Sequence, residues 1–431
     1  MTQHHYHRVH PRLRGVRALA PHALPGGSLS PAQVLTAYGF KQNQYAGASP
    51  VKLGIGSLGG GVVQQDIDNA VKTWGMTPPH LTVRTVGGVA NDPVSDQDSN
   101  VENMLDLLLV SFTWWWLTGT PADVTVTFGP NTSGGMEAVT RDLVAAGVEV
   151  ASWSWGSAAS NWNAAERASL ARAFADAVTA NVCFSAASGD NSVDDGTSAP
   201  SADYPCSDPN VWAVGGTFLA VNPDGTRAEE AAWGDGRPGD EGGGGGFDPT
   251  VPTPAWQRGV TIGPGRGVPD TSANADPNSG WQISANGSWT VVGGTSAASP
   301  FTAALIAVAK GIAKSAGRGV TTPAIYIERA TACNDITEGS NGDPALPGWD
   351  AAVGLGSPKG DGFVRAIVDW AQGTQPPAPP PPVPPGQPGT SVTMDQAIAW
   401  GTQGIMAGDP LQRQEDAVSN MTAGLKVGWP K

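Results

Sequence analysis

The chain has 431 residues, 40% of them hydrophobic, enough to bury the core of one large domain or two ordinary ones. Only 14% are charged, with 38 acidic residues against 24 basic and a net charge of -14. With no basic stripe to neutralise phosphates, nucleic acid is excluded as the expected partner. The acidity is compatible with a protein that works at low pH.

Met1 to Gly26 is basic, histidine-rich and irregular, and residues 1–27 read as a disordered arm. Its apolar part, Val16 to Leu24, is broken by Arg17, Pro21 and His22, which argues against a secretory signal. Ser28 to Gln33 then caps a short helix running toward Tyr38. From Val51 the pattern alternates. Strands are predicted over 52–58, 81–86, 123–128, 149–153 and 181–186, with helices over 64–74, 101–117, 135–146 and 163–179. This succession predicts an α/β fold with a mainly parallel sheet, helices on both faces and a site beyond the carboxyl ends of the strands.

After Gly189 the sequence turns loop-rich, with short strands predicted over 211–214 and 218–221. Gly242 to Gly246 lacks the Lys-Ser/Thr of a phosphate-binding loop, so it either lines a peptide cleft or is merely flexible. Phe301 to Ala313 reads as a buried helix. The longest other apolar stretch, Met104 to Leu117, falls short of the roughly 18 residues of a membrane span and carries Asp106, so no span is expected. Residues 373–390 are proline-dominated and read as a semi-rigid linker. The tail beyond, 391–431, is too short for a large core; its capping box at Thr393–Gln396 predicts a helix from Met394 to Trp400. Cys183, Cys206 and Cys333 show no metal spacing, and their odd number leaves at least one unpaired.

Ser296 sits on a glycine-rich turn at the start of the buried helix, where free backbone N–H groups stabilise an oxyanion. A plain helix cap is the bland alternative. A serine nucleophile needs a base, yet the six histidines lie at 4, 5, 7, 10, 22 and 80, five of them in the arm. The base is therefore expected to be a carboxylate. Glu102 and Asp106 are four apart, on one face of a helix that is otherwise nearly all apolar. Buried like charges are costly unless a function or a shared proton retains them, so the pair reads as functional rather than as a solvated face. Asp190 follows a buried strand in Ser188-Gly189-Asp190, which would also suit an Asx turn.

Glu102-x-x-x-Asp106, Ala187-Ser188-Gly189-Asp190 and Gly294-Thr295-Ser296-Ala297-Ala298-Ser299-Pro300 occur in the order seen in sedolisins, the serine-carboxyl peptidases. Tyr204-Pro205, Ala213–Thr217, Pro254–Gln257 and Arg266–Asp276 agree as well, and the resemblance runs from about Ser28 to Ala371. It implies a subtilisin-like peptidase domain over 28–372. It also implies Ser296 as nucleophile, Glu102 as general base, Asp106 as the residue orienting Glu102, and Asp190 as a protonated donor to the oxyanion. An Asp at its ordinary pKa is protonated about once in a thousand at pH 7, a cost of roughly 4 kcal/mol. The loss of one oxyanion donor costs about 2.7–4 kcal/mol, so an acidic optimum is expected.

The resemblance further implies one Ca²⁺, held by the Asp335 and Asp350 carboxylates with the carbonyls of Ile336, Leu346 and Gly348; Leu346 stands where glycine is usual. Sedolisins are normally made with a long N-terminal prodomain, whereas only a short arm precedes the peptidase domain here. The segment 397–416 resembles a truncated surface-layer-homology repeat, which implies contact with a cell-wall polymer. The expectation is a monomeric, extracellular endopeptidase acting on proteins or peptides, with virion association or release by lysis as the other route. The competing readings are a catalytically idle binding protein of the same fold and a tripeptidyl aminopeptidase.

Overall fold

The computed structural model describes residues 10–11, 14–18, 28–197, 200–235, 241–261, 263–314, 325–326 and 329–373. The linker and tail predicted beyond Gly373, including the helix Met394–Trp400, lie outside the described residues. The alternating strands form one sheet from β1 (Lys52–Ser57), β2 (His80–Thr85), β3 (Asp123–Phe128), β4 (Val150–Trp153), β5 (Cys183–Ala187), β6 (Val211–Val221) and β7 (Arg227–Asp235). Across the sheet they run β7-β6-β5-β4-β1-β3-β2. All neighbours from β2 to β6 are parallel, and β7 returns antiparallel to β6. The chain starts in the middle, fills one side with β2 and β3, then crosses to β4. Such a switch of direction opens a crevice at the carboxyl ends of the strands.

The helices are α1 (Gln64–Trp74), α2 (Gln97–Thr118), α3 (Ser133–Ala145), α4 (Ala164–Thr179), α5 (Thr295–Ile312) and α6 (Asp361–Gln372). On one face, Met136, Leu143 and Phe174 of α3 and α4 pack with Trp153 and Phe184 of the sheet. On the other, α2, α5 and α6 share a larger core through Leu105, Leu109, Phe301, Leu305 and Phe363. By length and composition α5 passes for a membrane span, but 94% of it is buried within the fold. It is the central helix of the core. Ser299 anchors it to the sheet, sharing hydrogen bonds with Ser152 at 2.9 Å and Ser185 at 3.0 Å.

Several expectations are corrected. The strands predicted over 211–214 and 218–221 are one strand of 11 residues. Gly215 and Gly216 do not break it: a Cβ on Gly215 would lie 2.5 Å from Ser272 Oγ, and one on Gly216 2.8 Å from Ala275, so the glycines admit close neighbours. Helix α2 starts at Gln97, capped by Asp96 accepting from the Ser99 N–H, four residues before the predicted start. Helix α5 starts at Thr295, with Pro300 inside it rather than before it. The strand Thr271–Asn274 (β8) beside β6 and the hairpin of β9 (Trp281–Ala285) and β10 (Ser288–Gly293) had no sequence signal. The arm is not disordered where it is described. His10–Pro11 pairs with Trp155–Gly156, and Arg14–Ala18 pairs antiparallel with β10. All three cysteines are buried, and none forms a disulfide among the described residues.

Beneath β6 lies a fully buried ion pair. Arg266 donates to both oxygens of Asp270, at 2.7 and 2.6 Å, and Asp270 also accepts from Tyr326 Oη at 2.6 Å and from the Ala213 N–H at 2.8 Å. Asp270→Ala leaves the guanidinium buried without its counter-charge, which is expected to cost about 3–5 kcal/mol in denaturant unfolding. A loss below about 1 kcal/mol would show that the pair does not hold β6 in place.

Candidate active site

Helix α2 is enclosed nearly all round, so its polar residues are held by the fold rather than by water. Its N-terminal half is tied to the loop after β1: Asn103 Nδ2 donates to the Gly59 carbonyl at 2.9 Å, and the Gly61 N–H donates to Asn100 Oδ1 at 2.7 Å. One turn apart on this anchored segment stand Glu102 and Asp106, both 0% exposed. Neither Glu102 oxygen nor Asp106 Oδ2 meets a donor in hydrogen-bond geometry among the described residues. Burial pushes Glu102 well above the usual carboxylate range, helped by the charges of Asp106 and Asp190 and opposed by the hydroxyls of Ser296 and Ser154. Burial likewise raises Asp106, against the pull of Ser154. Two buried carboxyls one turn apart, with only Asp106 Oδ1 meeting a donor in hydrogen-bond geometry among the described residues, are relieved by a proton. The pair is built to hold one.

Ser296 occupies the first turn of α5, where backbone N–H groups have no acceptor within the helix. Its Oγ donates to the Ser154 carbonyl at 3.4 Å. Ser154 in turn donates from Oγ to Asp106 Oδ1 at 2.7 Å and lies 3.3 Å from the Ser296 carbonyl. That carbonyl is available because Pro300, four residues on, has no N–H to offer it. Ser154 therefore joins the carboxyl pair to the serine, and sequence reasoning missed it. The available signal was its place directly after β4, at a carboxyl end of the sheet.

Asp190, 1% exposed, follows β5. Its Oδ1 accepts from both the N–H and the Oγ1 of Thr295, each at 2.8 Å. Thr295 thus ties Asp190 to the residue next to Ser296, a role its sequence position did not disclose. The five-glycine loop packs its backbone against Ser188–Asp190. The Gly242 N–H donates to the Asp190 carbonyl at 3.1 Å and the Gly244 N–H to the Gly189 carbonyl at 2.7 Å. A Cβ on Gly244 would sit 2.0 Å from the Ser188 carbonyl oxygen.

Glu102, Asp106, Asp190 and Ser296 therefore meet in one enclosure from three separated stretches of chain. His80 opens β2 at the exposed edge of the sheet, away from it. The arrangement offers a hydroxyl on a helix N-terminus, a carboxyl pair and a further carboxyl. It suits acyl transfer with a carboxylate in the place of a histidine base.

Asp335, Ile336, Leu346, Gly348 and Asp350 also share one loop region. The Gly348 N–H donates to both Asp335 oxygens, at 3.1 and 3.0 Å. Asp350 accepts from the N–H groups of Leu346, Ala352 and Val353, each at 2.9 Å. Burial, with the Asp335 charge adding to it, pushes Asp350 up to about 7. Two like charges this close fit a hard cation, although no group of three His, Cys, Asp or Glu side chains that could hold a metal occurs among the described residues.

Residues 122–356 match the model of the subtilase family. Kumamolisin from Bacillus sp. (strain MN-32) is 34% identical over 349 residues, 75% of this chain and 61% of its own. Sedolisin from Pseudomonas sp. (strain 101) is 35% identical over 208 residues, 43% of this chain and 35% of its own. The chain thus spans less than two thirds of either relative. A solved structure of Pseudomonas sedolisin, complexed with two molecules of pseudo-iodotyrostatin, superposes with a TM-score of 0.69 at 25% identity. It covers 81% of this chain and 98% of that one.

Gly244→Ala forces a methyl group against the Ser188 carbonyl, and overpacking of this kind costs about 1–3 kcal/mol. Thermal unfolding is expected to show that loss; a variant as stable as the parent would mean that the loop yields freely and does not brace Asp190.

Proposed function

Because the chain belongs to the subtilase family, in its sedolisin branch, we propose that it is a serine-carboxyl endopeptidase that cleaves proteins or peptides at acidic pH. The observation that carries the reading is the buried Glu102–Asp106 pair linked through Ser154 to Ser296. In this mechanism Ser296 Oγ attacks the scissile carbonyl and its proton passes to Glu102, which returns it to the leaving amine. Asp106 orients Glu102 and shares the pair's proton. Asp190 donates to the oxyanion together with the Ser296 N–H. Its Oδ1 already accepts twice from Thr295, which supports Oδ2 as the oxygen that donates in this reading.

The sign of the pH dependence follows. Both pair members have folded-state pKa values above those of the unfolded chain. Stability from the retained proton is present below those values and is lost as pH rises through them. Activity falls on the same side, and falls again in strong acid once Glu102 no longer accepts a proton.

Cleavage of casein and a quenched-fluorescent peptide, followed from pH 2 to 8, tests the reading. Activity is expected to peak in acid and to drop about 10⁴-fold or more in Ser296→Ala. Folded protein with no Ser296-dependent cleavage at any pH would overturn the peptidase reading and favour a binding protein of this fold. Release of tripeptides alone from the substrate's amino end would replace endopeptidase with tripeptidyl action. Ser154→Ala removes a hydrogen bond to a charged group worth about 1.5–3 kcal/mol. It is expected to lower kcat by about 10–100-fold and shift the pH profile while leaving KM nearly unchanged.

The Asp335–Asp350 loop is proposed to hold one Ca²⁺, with the carbonyls of Ile336, Leu346 and Gly348 completing its oxygen ligands. The ion would offset the burial and, with it, the Asp335 charge that raise Asp350. Millimolar calcium is expected to raise the Tm of the native chain over that in chelator. An equal rise in Asp335→Ala/Asp350→Ala would place the ion elsewhere.

A further inference from the structure

The run Gly242–Gly246 has no side chain to fix it, so its course is set by the groups that hydrogen-bond its backbone. Toward the site, Gly242 and Gly244 hold the Asp190 and Gly189 carbonyls, and Ser188 Oγ donates to the Gly244 carbonyl at 2.7 Å. Gly243, between them, is tied elsewhere. Its N–H donates to the Trp233 carbonyl of β7 at 2.9 Å, and its carbonyl accepts from Asn341 Nδ2 at 2.7 Å. Asn341 is 0% exposed and is itself locked. Its Oδ1 accepts from the Asp343 N–H at 3.1 Å, and its N–H donates to the Asp343 carbonyl at 3.2 Å. Its own carbonyl accepts from the Val193 N–H at 3.1 Å, and the adjoining Ser192 N–H donates to the Gly242 carbonyl at 2.9 Å. The segment carrying Asn341 is fixed to the sheet, with Gly339 opposite Ala232 of β7. The loop also has little room to shift. A Cβ on Gly243 would lie 3.1 Å from the Gly216 nitrogen of β6, and one on Gly245 3.1 Å from Asn341 Nδ2.

We propose that Asn341 is a positioning residue for the oxyanion: by holding Gly243 it sets where Asp190 stands relative to Ser296. This rests on the peptidase reading above. Asp190 is fixed from two directions. From α5, the N–H and Oγ1 of Thr295 bind its Oδ1, each at 2.8 Å. From the glycine loop, the Gly242 N–H binds its carbonyl at 3.1 Å. The first tie runs to the residue beside the nucleophile, and the second is only as firm as the loop. Without Asn341 Nδ2 the buried Gly243 carbonyl loses its donor, and a buried acceptor left unpaired is costly. The loop then moves toward another donor and takes Gly242 and the Asp190 backbone with it. Oxyanion donors act within about 2.7–3.1 Å of the developing charge. A displaced Asp190 therefore weakens the transition state and leaves the bound substrate nearly unaffected.

The test compares the full native chain with Asn341→Ala, using the quenched peptide, a peptide aldehyde and the alcohol of the same sequence. Ser296 Oγ bonds to the aldehyde carbon, the hydroxyl proton ends on the former carbonyl oxygen, and that oxygen takes the oxyanion's place. The alcohol fills the same cleft without that bond. Asn341→Ala is expected to lower kcat by about 10–100-fold and to change KM by less than about twofold. Its affinity for the aldehyde is expected to fall by the same factor as kcat, while its affinity for the alcohol holds. Should Asn341→Ala not fold, Asn341→Ser, whose hydroxyl is too short to reach Gly243, carries the same expectations. A variant with a lower Tm but native kcat overturns the inference, since Asn341 then serves stability alone. So does an equal loss of aldehyde and alcohol, which marks a deformed cleft. Both results leave the peptidase reading standing. Folded native chain that cleaves no peptide overturns that reading, and the inference with it.

Discussion

Two carboxyl groups one helical turn apart, sealed inside an apolar helix, are the constraint to which the rest of this structure answers. Glu102 and Asp106 are both 0% exposed, and three of their four oxygens meet no donor in hydrogen-bond geometry among the described residues. Ionising both there is unfavourable by far more than one surface interaction recovers, so the enclosure selects the state with a proton on the pair. A histidine base would need no such arrangement. A carboxylate base does, because in water its affinity for a proton is too low to take one from a serine hydroxyl. Burial supplies the missing basicity, and α2 contributes to the burial by being enclosed nearly all round in the fold.

The surrounding contacts then set the geometry. Ser154 reaches both the carboxyl pair and the serine, and Pro300 leaves the Ser296 carbonyl to it. Thr295 joins the start of α5 to Asp190. The glycine loop packs its backbone against Ser188–Asp190 at distances that no side chain tolerates. Ser299 ties the same helix to β4 and β5. Helix α5 is thus fixed at its first turn by polar contacts and along its length by the apolar core.

Much of this was legible in the sequence. Alternating apolar strands and amphipathic helices announced the parallel sheet, and the absence of histidine after residue 80 pointed the search for a base toward carboxylates. An acidic pair in an apolar helix was visible because burial and charge conflict there. What the sequence concealed were long-range decisions. The glycines at 215–216 read as a break because their close neighbours, Ser272 and Ala275, come from far along the chain. The hairpin of β9 and β10 and the strands of the arm are specified by partners rather than by their own pattern. Ser154 and Thr295 carry no signature apart from where the fold places them.

The central claim is that the Glu102–Asp106 pair keeps a proton at pH values where an ordinary carboxyl has lost it. Infrared difference spectroscopy of the native chain against Glu102→Gln, titrated from pH 3 to 8, reads the protonated carboxyl band directly. The account predicts a Glu102-dependent protonated carboxyl that persists well above the ordinary carboxylate range. A difference band that titrates near the ordinary pKa of Glu, about 4.3, would contradict it, because the pair would then be solvated acid rather than a buried base.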